Sequence, residues 1–229
     1  MRLLKRKNAY TLVEIIIASG VFSLFLGAAL GIFFHTQRSI SKTSWINNAT
    51  RDEGIALRRL SELAKSSSYP ATTLENVIKI AEDSDKFKAR LPGGTGEIQT
   101  TPGQNKNILA FPICTEQTNA KAGSIKWVSL WLMPSDHQNY FDLLLHVSPE
   151  VSYNPGPPDY AAGMSNGGYS SSLETKEKFQ LLKNIEKTSV TVLPGASDTV
   201  ELAFILSFPD NRNFKKEIKL SAKLNVSFK

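Results

Sequence analysis

The first third of the chain carries a hydrophobic pattern that predicts one long helix. Residues 15–34 contain no charge. As an α-helix these 20 residues extend about 30 Å, the thickness of a bilayer's hydrocarbon core. Apolar residues then recur every three or four positions, as on one face of an amphipathic helix. This stripe comprises Ile46, Ala49, Leu57, Leu60 and Ala64, with Glu53 in the series and Ala56 and Leu63 on its flank. We expect a helix over 11–65 whose second half packs on a globular part, because the stripe is too short for a coiled coil.

Beyond residue 106 the pattern changes from helical spacing to the alternation of strands. Strands are predicted at 107–113, 125–133, 141–147, 200–208 and 218–228. The last two are joined by a turn at 209–213, and each has one apolar face, as in an antiparallel sheet that covers a helix. A short helix is predicted at 73–81 with Thr73 as its N-cap. Loops are predicted at 92–103 and 149–172.

These elements predict an α+β fold, in which a long N-terminal helix packs on an antiparallel β-sheet head. We divide the chain into a helical segment, 10–68, and a β-rich head, 69–229. The membrane span is placed at about 15–34. A chain of 229 residues suits one domain with an appendage.

Basic residues are concentrated ahead of the apolar run. Arg2, Lys5, Arg6 and Lys7 lie among the first nine residues, which contain no acid. Of the 27 basic residues this leaves 23, against 21 acidic ones, so the net charge of +6 gives little reason to expect a nucleic-acid partner. By the positive-inside rule, the N-terminus is predicted to be cytoplasmic and the head to lie across the membrane.

An acidic residue, Glu14, begins the apolar run. A carboxylate entering a bilayer is costly unless it is paired, which favours a functional role. The alternative is an acid at the headgroup boundary, favoured by the positive end of the helix dipole.

Residues 5–14, KRKNAYTLVE, resemble the class III signal of type IV prepilins and pseudopilins. That signal has a short basic leader, a small residue at the cut, an aromatic, Thr-Leu, an aliphatic and a glutamate fifth after the cut. The resemblance implies that residues 1–9 are a leader, cut by prepilin peptidase between Ala9 and Tyr10, with N-methylation of Tyr10. It also implies that Glu14 pairs with the Tyr10 amine of a neighbouring subunit, offsetting the burial of both charges. Ala9 stands where the family usually has glycine; we expect cleavage to be retained, at a rate that depends on Ala9.

The resemblance further implies a minor pilin or pseudopilin, a structural subunit of a type IV pilus-like or type II secretion pseudopilus filament. Residues 181–192 are loosely similar to a stretch of the J-type minor pseudopilins of type II secretion. The implied partners are prepilin peptidase, other pilins or pseudopilins and the bacterial inner membrane. The implied location is a single-pass membrane protein with a periplasmic head, found after assembly in a periplasmic or extracellular filament.

Two alternatives use the same features differently. In the first, the 149–172 loop, with Tyr153, Tyr160 and Tyr169, forms a binding module at a filament tip, since aromatic loop residues can act as recognition anchors. Its ligand would be a surface, DNA or a secreted substrate. In the second, the chain is an uncleaved signal-anchor protein.

No catalytic, cofactor or metal site is predicted. The histidines, His35, His137 and His146, lack the spacing of a zinc site, and no nucleotide-binding or hydrolase motif is present. Cys114 is the only cysteine, which excludes an intramolecular disulfide, and it is expected to be a small core residue. We expect no enzymatic activity, no cofactor and no metal.

Overall fold

The computed structural model describes residues 11–74, 77–80, 87–116, 123–137, 139–153, 175–193, 198–209 and 211–229. Helix α1 is Leu12–Lys65. The strands in these ranges are β1 Ala71–Leu74, β2 Val77–Ile80, β3 Gly96–Glu97, β4 Lys106–Glu116, β5 Gly123–Pro134, β6 Phe141–Val147, β7 Val151–Tyr153, β8 Glu177–Val192, β9 Thr199–Phe208 and β10 Asn211–Lys223. The chain divides into two compact units, Met1–Ile46 and Asn47–Lys229. Helix α1 therefore begins in the first unit and ends in the second.

The second unit is built on an antiparallel sheet. Its strand order is β10-β9-β8-β6-β5-β4, with β3 paired to β8 and β7 paired to β5. Strands β1 and β2 form a separate hairpin. A single long helix followed by an antiparallel sheet is the α+β fold expected from the sequence, so that prediction is confirmed.

The alternation of apolar residues in the last two strands places one face of each in the core. In β9 the residues at 200, 202, 204 and 206 are buried, and opposite them in β10 the residues at 218, 220 and 222 are also buried. The register sets Leu220 against Leu202 and Ile218 against Phe204. Apolar pairs directly across a ladder stabilise a sheet, and here both members of each pair are fully buried.

The buried stripe of α1 is narrower than the sequence predicted. Ala56, Leu60 and Ala64 are fully buried and Ala49 is 6% exposed, whereas Leu57 is 41% exposed. Neighbouring helix residues differ by about 100°, so a face centred on Ala56 turns Leu57 towards solvent. The small alanine side chains allow the helix to lie close to the elements that cover it.

Polar contacts hold the C-terminal part of α1 to the end of the chain. Ser67 Oγ donates to the carbonyl of Ala64 at 2.7 Å and accepts the backbone N–H of Asn225 at 2.7 Å. The Asn225 amide donates to the carbonyl of Lys65 at 2.6 Å. These bonds satisfy carbonyls that a helix end leaves without intrahelical partners. Earlier in α1, Glu53 Oε2 and Thr50 Oγ1 accept hydrogen bonds from Lys216 Nζ of β10, at 2.9 Å and 2.7 Å.

The helix predicted at 73–81 is wrong. The described part of this segment belongs to β1 and β2, with Leu74 opposite Val77 and Thr73 opposite Ile78. Thr73, Val77 and Ile78 are branched at Cβ, which restricts such side chains in a helix and suits them to a strand. The predicted N-cap, Thr73, is therefore a strand residue.

Other boundaries also differ from the prediction. Strand β3 lies inside the loop predicted at 92–103, and β7 lies inside the loop predicted at 149–172. Strand β10 begins at Asn211, within the predicted turn, and ends at Lys223 rather than 228. After β10 the chain leaves the ladder, and Lys229 N–H bonds to the carbonyl of Ala89 at 3.0 Å.

Candidate functional site

The first half of α1 presents apolar side chains on every side. It is the helix in the described part of the chain that is long and apolar enough to cross a membrane. Exposure of its large side chains between residues 12 and 34 ranges from 46% for Leu30 to 78% for Leu24. The exposed residues are Leu12, Val13, Ile15, Ile16, Ile17, Val21, Phe22, Leu24, Phe25, Leu26, Leu30, Ile32, Phe33 and Phe34. A helix that is apolar all round requires an apolar environment.

The free energy involved is large. Leaving one such side chain in water rather than burying it costs about 1.5–3 kcal/mol. For the whole segment, at the exposure seen, the penalty is on the order of 20 kcal/mol. A penalty of this size favours coverage of the surface by lipid or by other apolar helices.

Glu14 lies at the start of that surface and is held by Thr11. Glu14 Oε2 accepts the backbone N–H of Thr11 at 2.8 Å and the Thr11 hydroxyl at 3.0 Å. In return, the backbone N–H of Glu14 donates to Thr11 Oγ1 at 3.3 Å. This reciprocal arrangement is a capping box, with Thr11 as the N-cap and Glu14 at the third helical position. The pattern Thr-x-x-Glu at 11–14 is its sequence signature, although these bonds were not among the features predicted from the sequence.

The capping box gives Glu14 a role within its own chain, as the helix-end alternative supposed. It also holds the carboxylate beside the start of the helix, because Thr11 donates two hydrogen bonds to it. Thr11 is the residue that follows Tyr10 in the sequence. A carboxylate offers about four lone-pair positions, and the Thr11 contacts use two of them. The group therefore keeps the capacity to accept a further donor.

The remaining predicted site residues lie outside the described part of the chain. These are Ala9 and Tyr10 at the proposed cut and the leader residues Arg2, Lys5, Arg6 and Lys7. Cleavage, methylation and the role of the leader thus stay predictions. In the predicted 149–172 loop the structure describes residues 149–153, and the binding role assigned to the rest is also untested.

The second unit contains clefts of modest size. One, of about 320 Å³, is lined by Arg59, Glu62, Lys126, Glu150, Lys176 and Phe179, among others. The Arg59 guanidinium lies 4.3 Å from the centroid of the Phe179 ring, a cation–π distance. A second cleft of about 290 Å³ includes His137 and Tyr140. Across the described ranges, no three His, Cys, Asp or Glu side chains are placed to hold a metal ion.

His146 and Cys114 both lie against aromatic or apolar groups. The His146 ring stacks on Trp131 with centroids 5.9 Å apart, and Nδ1 lies 3.1 Å from the Thr175 hydroxyl. Burial, and secondly the nearby Lys178, lower the pKa of His146, so its neutral form is favoured. Cys114 is half-buried and packs against an apolar cluster that contains Phe87, as a small core residue would.

No family model, curated protein or solved structure gives a significant match to this chain. Its function must therefore be inferred from the residues and geometry described above.

Proposed function

We propose that this chain is a pilin-like structural subunit, a minor pilin or pseudopilin. In this proposal, α1 first anchors the subunit in the bacterial inner membrane and later packs in the core of a type IV pilus-like or type II secretion pseudopilus filament. The supporting observation is a conjunction at one place in the chain. An apolar helix, exposed on all sides, begins at Leu12, inside the prepilin-type string, and carries the glutamate of that string in its first turn.

The exposed helix supports both stages of this role. In the bilayer, lipid covers the apolar surface and every backbone polar group within the span is bonded inside the helix. In a filament, the same surface would be covered by the equivalent helices of neighbouring subunits. Transfer from one apolar environment to the other avoids exposing to water a surface that costs on the order of 20 kcal/mol.

Glu14 would guide the helix into place. Before assembly the capping box supplies it with partners, so the carboxylate is not left unpaired at the edge of the bilayer. After cleavage, the new amine of Tyr10 in a neighbouring subunit would approach the carboxylate's remaining lone pairs. Such a pair is favourable in an apolar interior only when both charges are present, and removal of one leaves a costly unpaired charge. This requirement would select the register between adjacent helices.

The head would serve as a rigid body for lateral contacts, without a catalytic step. Residues 181–192, which are loosely similar to the J-type minor pseudopilins, form much of β8, a central strand bonded to β6 and β9. Their similarity therefore falls on a core element of the fold, and the assignment to that class stays a prediction.

Assembly of Glu14 variants tests the proposal. Glu14→Ala, co-expressed with an assembly machine of this class, should reduce the yield of sheared filament or pseudopilus at least tenfold. A matched control is Glu62→Gln, because Glu62 also lies on α1, with a side chain that is 63% exposed and bonded to Arg58. This variant should assemble like the wild type.

A second variant separates the two roles of Glu14. Thr11→Ala removes both hydroxyl contacts of the capping box and keeps the carboxylate, so assembly should fall far less than in Glu14→Ala. Equal losses in Thr11→Ala and Glu14→Ala would mean that Glu14 acts only as a helix cap. Normal assembly of Glu14→Ala would show that the proposed intersubunit pair is wrong.

A further inference from the structure

The part of α1 that follows the apolar run, residues 35–46, carries its basic residues on one face. His35, Arg38 and Lys42 are separated by three and four positions, the spacing of side chains that lie above one another on a helix. The structure keeps this segment helical throughout. We call these three residues the basic stripe.

No acid opposes the basic stripe in the neighbouring sequence. From Ile15 to Arg51 the chain contains no aspartate or glutamate, and the first acid after Glu14 is Asp52. His35 and Arg38 are exposed, and Lys42 is half-buried with a contact of its own within the chain. The formal charges within this segment are therefore only positive.

The stripe lies at the depth of lipid headgroups if residues 15–34 span the bilayer. With a rise of 1.5 Å per residue, Arg38 lies about 6 Å beyond Phe34 and Lys42 about 12 Å. The headgroup layer of one leaflet is about 5–8 Å thick. Helical side chains lean towards the N-terminus, here towards the membrane, and the long stems of arginine and lysine reach polar groups several ångströms away.

We propose that the basic stripe binds the phosphates of anionic lipids in the leaflet where the apolar run ends. This inference rests on the proposed function, because it requires α1 to span a membrane. Its consequence concerns the stage after cleavage. Loss of residues 1–9 removes four cations from the other end of the span, so Arg38 and Lys42 become the main side-chain anchors that set the depth of the helix. Extraction of the subunit into a filament must break these contacts.

Lipid binding by the full chain tests the proposal. The protein in detergent micelles is titrated with phosphatidylglycerol or phosphatidylcholine of identical acyl chains, and bound lipid is counted by native mass spectrometry. The wild type should prefer phosphatidylglycerol. A cation near an anionic surface contributes about fivefold in affinity at low salt, so R38Q/K42Q should weaken phosphatidylglycerol binding about 25-fold and leave phosphatidylcholine binding unchanged.

A charge-matched control and two contrary outcomes make the test specific. K178Q/K183Q removes two exposed lysines of β8 and should keep the lipid preference. Equal binding of the two lipids by the wild type, or an unchanged preference in R38Q/K42Q, would overturn the inference. If R38Q/K42Q keeps the preference and loses chemically crosslinked dimers instead, the stripe binds a second copy of the chain.

Failure of this inference is distinguishable from failure of the proposed function. If the wild type is removed from membranes by alkaline carbonate, α1 does not span the bilayer and both proposals fail. If the protein is membrane-embedded and cut by prepilin peptidase but shows no lipid preference, only the lipid inference fails.

Discussion

Leu60 and Leu57 lie on consecutive turns of α1 and belong to one predicted stripe, yet the structure gives them opposite environments. Leu60 is fully buried and Leu57 is 41% exposed. Replacing a buried leucine with alanine removes its transfer free energy and leaves a cavity, which together cost about 2–5 kcal/mol. The same change at a leucine that is 41% exposed removes fewer contacts and leaves no closed cavity, so it should cost about 1 kcal/mol or less. Leu57→Ala is therefore a matched control with the same chemical change, three residues away.

For a unit of this size, 1 kcal/mol corresponds to about 2–4 °C in melting temperature. Leu60→Ala should thus lower the Tm of the full chain, held in detergent, by roughly 5–15 °C, and Leu57→Ala by about 4 °C or less. Tryptophan fluorescence reports the transition, since Trp127 is only 3% exposed. Equal shifts in the two variants would refute the assigned face of α1. A Leu60→Ala protein as stable as the wild type would refute the packing of this helix in the core.

Three further predictions concern polar groups of the head. A hydrogen bond from Lys215, the largest contribution, lowers the pKa of Glu186 in the folded protein. The ionised carboxylate therefore stabilises the fold above the ordinary carboxyl pKa of 4.5, and this contribution is lost as pH falls through the folded pKa. In urea titrations, the difference in unfolding free energy between the wild type and Glu186→Gln should close below about pH 4.5. Asn184 has a φ of 57°, so Asn184→Gly should leave the free energy of unfolding within about 0.5 kcal/mol, whereas Asn184→Val should cost about 1–3 kcal/mol. Lys216→Met leaves the half-buried Glu53 carboxylate without its ion-pair partner, which should cost about 1–3 kcal/mol, and the double variant Lys216→Met/Glu53→Leu should recover part of that loss. A stability difference for Glu186→Gln that does not change with pH would contradict the first prediction. An Asn184→Val protein as stable as the wild type would contradict the second, and no recovery in Lys216→Met/Glu53→Leu would contradict the third.

The long elements of this fold were predictable because their patterns are strong over many residues. The uncharged run and the three-and-four spacing determine α1, which the sequence placed at 11–65 and the structure places at Leu12–Lys65. The alternation in 141–147 matches β6 Phe141–Val147. In these segments burial of one face and local backbone preference favour the same structure.

The short elements were less predictable because few residues carry the signal. In 73–81, Val77, Ile80 and Ala81 fit the spacing of a helix, whereas Ile78 and Ile80, two residues apart, fit the alternation of a strand. Branching at Cβ should have decided in favour of the strand. The expected burial of Leu57 was wrong for another reason. The sequence defines the apolar face of a helix only to within one residue, and the centre of that face is decided by packing in the folded protein.

For the candidate site, the sequence identified Glu14 but not its partner. The Thr-x-x-Glu signature of a capping box was present at 11–14, and recognising it would have predicted the bonds with Thr11. The basic stripe is equally visible in the sequence, but it becomes a face only if the helix continues past Phe34 without a break. The structure supplies that continuity.

The N-terminus that this chain has after exposure to prepilin peptidase shows whether it is a pilin-like subunit. The full chain is co-expressed with the peptidase, and its N-terminal sequence and intact mass are determined. If the proposed function is right, the mature chain should begin at N-methylated Tyr10, with residues 1–9 removed. A chain that still begins at Met1, under conditions that process a control prepilin, and that remains uncut when Ala9 is replaced by glycine, would contradict it.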